Sequence, residues 1–334
     1  MGSVIEAIEY VYPEKRVTNK DLQKKFPLYD FEKFEKKVGI HSRFIVEEET
    51  ALDLAVKAAQ KLFEKRIDKN EIDYILYCTQ SPEYILPTTA CILQHKLSLR
   101  KDIGALDFNL GCSGYTYGIS LAKALIESNQ AKKILLVTAE TYSKFIHEDD
   151  RTNRSIFGDA ATATIISFSE NNCIGDFLTG TDGAGFDKLI VRNGGGKNPK
   201  DINSEVKCYG TGNKYTDNHL YMNGPDVFNF TSDTIPNFAN EILIKNHLDK
   251  DSVDQFIFHQ ANAFMLNFIR RKIKISKDKF FIDLKEGGNT VSCTIPIALK
   301  EYSKTIKTEQ KLMLVGFGVG LSWSGGVITI NKPL

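Results

Sequence analysis

The chain has 334 residues, 42% of them hydrophobic and 25% charged, and its 43 basic and 42 acidic side chains leave a net charge of +1. That length predicts one large or two fused domains around a sizeable core. Near-neutral charge excludes a global pull toward nucleic acid or an anionic membrane. The six cysteines, at 78, 91, 112, 173, 208 and 293, include no CxxC pair, so zinc-ribbon and thioredoxin spacings are excluded. The start, Met1-Gly2-Ser3-Val4-Ile5-Glu6, lacks the basic and apolar pattern of a secretory leader, and no run nears the ~18 apolar residues of a membrane span. The expectation is a cytoplasmic protein without a disulfide framework, with Cys78, Cys91 and Cys293 as plain core residues.

In chain order, apolar patterning predicts a helix over 51–65, a strand over 74–78, a helix over 90–96 and a strand over 103–110. A helix over 117–128 and strands over 134–138 and 161–168 follow. After a polar connection near 169–175 and a Gly- and Asn-rich loop region over 183–217 come a helix over 227–246 and strands over 255–258, 280–284, 311–315 and 326–330. This alternation predicts α/β layers.

The two halves resemble each other. Glu71-Ile72-Asp73-Tyr74-Ile75-Leu76-Tyr77 reads like Ser252-Val253-Asp254-Gln255-Phe256-Ile257-Phe258. Roughly sixty residues later, Lys133-Ile134-Leu135-Leu136-Val137 pairs with Lys311-Leu312-Met313-Leu314-Val315. Between those strands stand Gly111-Cys112-Ser113-Gly114 in one half and Gly288-Asn289-Thr290 in the other. An ordered trio at similar spacing predicts a duplicated α/β unit, 1–172 and 173–334.

Two sites in this frame can carry chemistry. Cys112 falls where a strand turns into a helix, and there the unpaired N–H groups and the positive helix end favour a thiolate. The competing reading is a small residue packed in a tight turn. His259-Gln260 directly follows a buried strand, where layered α/β folds gather active-site groups. The other histidines, 41, 95, 147, 219 and 247, show no metal-ligand spacing. Gly316-Phe317-Gly318-Val319-Gly320-Leu321 has Leu321 in place of a third dinucleotide glycine and no helix behind it. Gly111-Cys112-Ser113-Gly114-Tyr115 is not the nucleophile elbow of a serine hydrolase.

Taken together, Gly111-Cys112-Ser113-Gly114, His259-Gln260-Ala261-Asn262 and Gly288-Asn289-Thr290, with Leu86-Pro87-Thr88-Thr89, Phe157-Gly158-Asp159-Ala160 and Gly316-Phe317-Gly318, resemble the β-ketoacyl-acyl-carrier-protein synthase III family of thiolase-like condensing enzymes. The resemblance implies a five-layer αβαβα fold of two similar halves, normally a homodimer, serving fatty-acid or related lipid biosynthesis. It implies Cys112 as acyl carrier, and His259 and Asn289 as the pair that binds a malonyl thioester carbonyl. The backbone N–H groups of Cys112 and Val319 would form an oxyanion hole.

Leu86, from a partner subunit, with Phe157 and Met222 would line the acyl pocket. A leucine at 86, where a larger aromatic can stand, predicts room for a primer longer than acetyl. Substrates would be an acyl-coenzyme A and a malonyl-acyl carrier protein, with no bound cofactor or metal. Lys37, Arg151, Arg270, Arg271 and Lys272 would supply positive charge toward them. The tryptophan that stacks on the adenine in known members is replaced near Lys33, and Phe264 stands where an arginine docks the carrier protein, which points to a specialised pathway. Three readings compete: transfer of the Cys112-bound acyl group to a sugar or amine, a 3-hydroxy-3-methylglutaryl-CoA-synthase-like reaction (with Gln80 where its acidic base belongs), and a silent partner subunit.

Overall fold

A computed structural model describes residues 2–65 and 67–334. Two sheets organise the chain. The first contains β1 (Gly2–Val11), β2 (Tyr74–Cys78), β3 (Gly104–Phe108), β4 (Lys133–Glu140) and β5 (Ala160–Ser169), in the order β1-β5-β4-β2-β3. The second contains β6 (Ile174–Thr181), β7 (Gln255–Phe258), β8 (Gln310–Gly318) and β9 (Ser322–Ile330), in the order β7-β8-β9-β6. The chain crosses from one sheet to the other between Ser169 and Ile174.

The duplication expected from the sequence is present in the topology. In the first sheet β2 runs parallel to β4, which pairs antiparallel with β5, and β5 with β1. In the second, β7 runs parallel to β8, which pairs antiparallel with β9, and β9 with β6. Even the lead-in residue is repeated. The Asp73 carboxylate accepts from the backbone N–H of Lys132 at 2.7 Å, and the Asp254 carboxylate from that of Lys311 at 2.7 Å.

The expected strand over 280–284 is reduced to a single parallel bridge, Phe256 with Phe280, at the place β3 occupies in the first sheet. Its next ladder position is taken by a side chain: the Gln260 carbonyl oxygen accepts from the Asp283 N–H at 2.8 Å, so the segment leaves the sheet. The N-terminal strand β1 and the helices in 19–38, 263–273 and 294–303 are additions to the expected set.

Helices complete five layers. α1 (Ala51–Glu64) covers the outer face of the first sheet, burying Leu52, Ala55, Ala59 and Leu62 against β1, β4 and β5. α2 (Gly114–Glu127) touches strands of both sheets and so forms the middle layer, with Ile119, Ala122 and Ile126 in the core between them. α3 (Gly224–Lys245) and α4 (Ala263–Ile273) pack on the outer face of the second sheet. α5 (Thr294–Ser303) joins α2 in the middle, against β1, β5 and β7. This burial of both sheet faces explains the continuous apolar runs that the sequence shows at β2, β4, β7 and β8.

Cys91 is exposed on the helix Thr89–Lys96 and not part of the core, unlike Cys78 and Cys293. Among the described residues no helix is long and apolar enough to cross a membrane. The region 183–217 is more than a loop: Leu189–Val191 pairs with Leu220–Met222, and Lys207–Tyr209 with Asn213–Tyr215.

Candidate active site

The turn between β3 and α2 is tight because its glycines touch other side chains. A β-carbon at Gly114 would collide with the Cys78 sulfur. Cys112 therefore sits at the helix start with 6% of its surface exposed. It packs with Tyr142, Ile146, Phe157, Leu189, Leu220 and Val291, and half-buried Met222 and Val319 close the cluster. Cys112, Phe157, Met222 and Val319 are thus brought together as expected.

His259 and Asn289 come from the second half and touch residues that neighbour Cys112 or its cluster. The His259 N–H donates to the Val315 carbonyl at 2.8 Å, extending the β7–β8 register by one residue. Its ring stands edge-on to Phe317, 5.6 Å between centroids, and the next residue, Gly318, lies against Cys112. Asn289 follows left-handed Gly288 and forms a parallel bridge with Phe157. The Asn289 side-chain oxygen accepts from the Val291 N–H at 2.9 Å, and among the described residues its amide nitrogen has no partner.

Electrostatics make these groups neutral. Burial lowers the His259 imidazole to about 3. Burial also pushes the Cys112 thiol up to about 12, with the Glu140 carboxylate adding to the rise and the Cys112 backbone opposing it. Burial thus opposes the thiolate that the helix start favours. Glu140, pushed up to about 8 by burial, accepts from the hydroxyls of Ser292 at 2.9 Å and Ser81 at 3.1 Å and from the Gln80 N–H.

A cavity of about 1130 Å³ opens beside the cluster, lined among others by Gln80, Asn109, Tyr142, Val191, Lys200 and Val319. Leu86 lies outside its own chain's cluster and is 79% exposed. Arg151 stacks on the Tyr29 ring at 3.9 Å, so Tyr29, and no residue at Lys33, is the aromatic neighbour of that guanidinium. Lys37 stands 4.8 Å from the Phe264 ring centroid.

The basic face expected on α4 is only partly free. Arg270 donates to the Ile275 carbonyl at 2.9 Å and so closes its own helix end, and Lys272 donates to the Ser232 carbonyl at 2.7 Å. Arg271 is exposed. Tyr29 and Glu140 were not legible as site residues, because their neighbours are distant in sequence, whereas Gly318 was legible only as part of the Gly316-Phe317-Gly318 segment that carries the resemblance.

Comparison with known proteins places this geometry. Residues 106–183 match the family model described as 3-Oxoacyl-[acyl-carrier-protein (ACP)] synthase III, and residues 243–330 match that of its C terminal. A beta-ketoacyl-[acyl-carrier-protein] synthase III of Clostridium perfringens is 34% identical, over 95% of this chain and 96% of the relative. A crystal structure of a 3-oxoacyl-(acyl-carrier-protein) synthase III is 43% identical with a TM-score of 0.96, covering 99% of this chain and 100% of the other. The 3-oxoacyl-(acyl-carrier protein) synthase of Burkholderia xenovorans is 33% identical with a TM-score of 0.90, over 100% and 95%. With its duplicated sheets and the two matched segments that hold Cys112, His259 and Asn289, the chain belongs to the beta-ketoacyl-[acyl-carrier-protein] synthase III family.

Proposed function

We propose that this condensing enzyme takes an acyl primer from an acyl-coenzyme A onto Cys112 and extends it with a malonyl-acyl carrier protein. The sulfur attacks the thioester carbonyl, coenzyme A leaves as a thiol carrying the Cys112 proton, and the acyl group rests on sulfur. Backbone N–H groups of Cys112 and Val319 would hold the oxyanion. The C–CO₂ bond of the malonyl thioester then breaks, carbon dioxide leaves, and the electron pair becomes an enolate. Its oxygen is held by His259 and Asn289 as neutral donors. The enolate carbon attacks the acyl carbon and expels the Cys112 thiolate, which takes a proton from solvent, the one consumed as the malonyl carboxylate leaves as carbon dioxide.

The carrying observation is that His259 is only 2% exposed, which disfavours its charged form, and that the Asn289 oxygen is turned to the Val291 N–H, so its amide nitrogen points the other way. Decarboxylation itself generates the carbanion, so no carboxylate base is required. The position expected to hold one, Gln80, is an amide that bonds Asn109 at 3.1 Å and accepts from the Tyr142 hydroxyl.

Tyr29 with Arg151, and Lys37, are suited to the nucleotide end of coenzyme A, where a planar cation on an aromatic ring favours stacking and anion contacts. Arg271 is the cation on α4 best placed to meet an acidic carrier protein. We read the assembly as a homodimer joined along β3. That strand is the edge of the first sheet, with Leu106 44% exposed, and Tyr84, Ile85 and Leu86 are also bare. An uncovered edge with apolar neighbours seeks a second strand. Leu86 then enters the partner's pocket, and its size leaves room for a primer longer than acetyl.

Intact-mass analysis after exposure to a panel of acyl-coenzyme A thioesters tests the first step. An acyl-mass increment on the wild type, absent in Cys112→Ala, is expected. Carbon dioxide release from malonyl-acyl carrier protein separates condensation from transfer to a sugar or amine. Acylated protein that releases none would rule out decarboxylative condensation and leave the non-decarboxylating readings.

A further inference from the structure

The proposed chemistry asks His259 for a hydrogen on Nε2, because only that nitrogen can face a substrate. Nδ1 lies 2.7 Å from the Thr294 hydroxyl oxygen, inside the protein. The same oxygen lies 3.1 Å from the Val291 carbonyl. A hydroxyl has one hydrogen, so its direction decides the tautomer. If it points to Val291, Nδ1 must carry the imidazole hydrogen and Nε2 is a bare lone pair. If it points to Nδ1, Nε2 carries the hydrogen and becomes a donor.

The second arrangement is favoured because the Val291 carbonyl already accepts the backbone N–H of Thr294 and so does not depend on the hydroxyl. His259, Thr294 and Val291 are all buried, at 2%, 3% and 0% exposure, so water does not compete for these bonds. The turn does a second task, since the Val291 N–H holds the Asn289 oxygen. Val291 adopts a left-handed backbone, φ +57°, which is a sterically unfavourable state for a β-branched residue. That conformation lets one short turn, Val291 to Thr294, orient both neutral donors.

We infer that Thr294 is a positioning residue that fixes His259 in its Nε2–H form and so makes it a donor to the malonyl thioester carbonyl. The consequence for catalysis rests on the function proposed above; the tautomer does not. The test uses the full chain with ¹⁵N-labelled histidine, its His259 signals assigned by their loss in His259→Asn. Thr294→Val keeps the shape and removes the hydroxyl, and Thr294→Ser keeps the hydroxyl. Wild type and Thr294→Ser are expected to show protonated Nε2 and similar malonyl decarboxylation. Thr294→Val should lose the fixed tautomer and slow decarboxylation by on the order of 10²-fold, the usual effect of losing one preorganised donor, with Cys112 acylation unchanged.

A wild-type nitrogen spectrum with protonated Nδ1, or a folded Thr294→Val that keeps both the tautomer and the rate, overturns the inference. A wild type that releases no carbon dioxide brings down the functional reading alone, and the nitrogen shifts still decide the tautomer.

Discussion

Gly318 presses on the side chain of Cys112: a β-carbon there would stand 2.8 Å from Cβ and 3.0 Å from Sγ. The end of β8 thus leaves the sulfur its space only because residue 318 has no side chain. Gly318→Ala should move the sulfur out of its rotamer and slow acylation by a primer at least 10²-fold, as misplacement by about 1 Å does at other reacting centres. Intact-mass time courses would show it, and wild-type loading in a folded variant would contradict the contact.

Glu140 supplies a pH prediction. Its carboxyl, ordinarily near 4.5, is pushed up to about 8 by burial. Between those values the native protein keeps a proton that the unfolded chain has released, so stability falls as pH rises from about 4.5 to 8. Glu140→Gln removes that share of the slope. Urea midpoints at pH 5 and 8.5 should lie closer together in the variant than in the wild type, and Cys112 alkylation at pH 9 should be faster without the neighbouring charge. An unchanged difference between midpoints would refute this.

His259 behaves in the opposite sense. Its native imidazole stays neutral down to about 3, whereas the unfolded one gains a proton near 6.5. Its contribution to stability is present above 6.5 and is lost as pH falls toward 3. The rate of malonyl decarboxylation should carry no imidazole limb between about pH 5 and 8. An acid limb near 6.5 in the wild type would show that the ring is charged at rest.

The repeated aspartates make a stability prediction. Asp254 holds one backbone N–H of β8, whereas Asp73 holds those of Lys132 and Lys133 and also Arg100 at 2.8 Å. Charged hydrogen bonds of this kind contribute roughly 1–3 kcal/mol. Asp254→Ala should cost about 1 kcal/mol in chemical denaturation, and Asp73→Ala about twice that. Equal losses would mean that neither the Lys133 N–H nor Arg100 adds to what one backbone contact gives.

Much of the frame was readable beforehand because it is local. β7 spans the expected four residues, and the 51–65 and 90–96 helices are met within one residue. Short apolar runs signal strands buried on both faces wherever they occur. What failed was non-local. The 280–284 run had a strand's composition, yet the Gln260 side chain takes a backbone N–H that a strand would have paired. Arg270 and Lys272 looked like a free basic face, but their partners, at Ile275 and Ser232, depend on where the helix ends and which helix packs beside it.

Residue order alone determined the duplicated α/β unit and the identity of the thiol, imidazole and amide, because strand periodicity and side-chain chemistry are written residue by residue. Protonation was decided by the fold. A thiol at a helix start reads as acidic, whereas its burial between the sheets raises its pKa. Which atoms of His259 and Asn289 face outward was decided there too, since Thr294 and Val291 meet them only through packing between strands and the turn before α5.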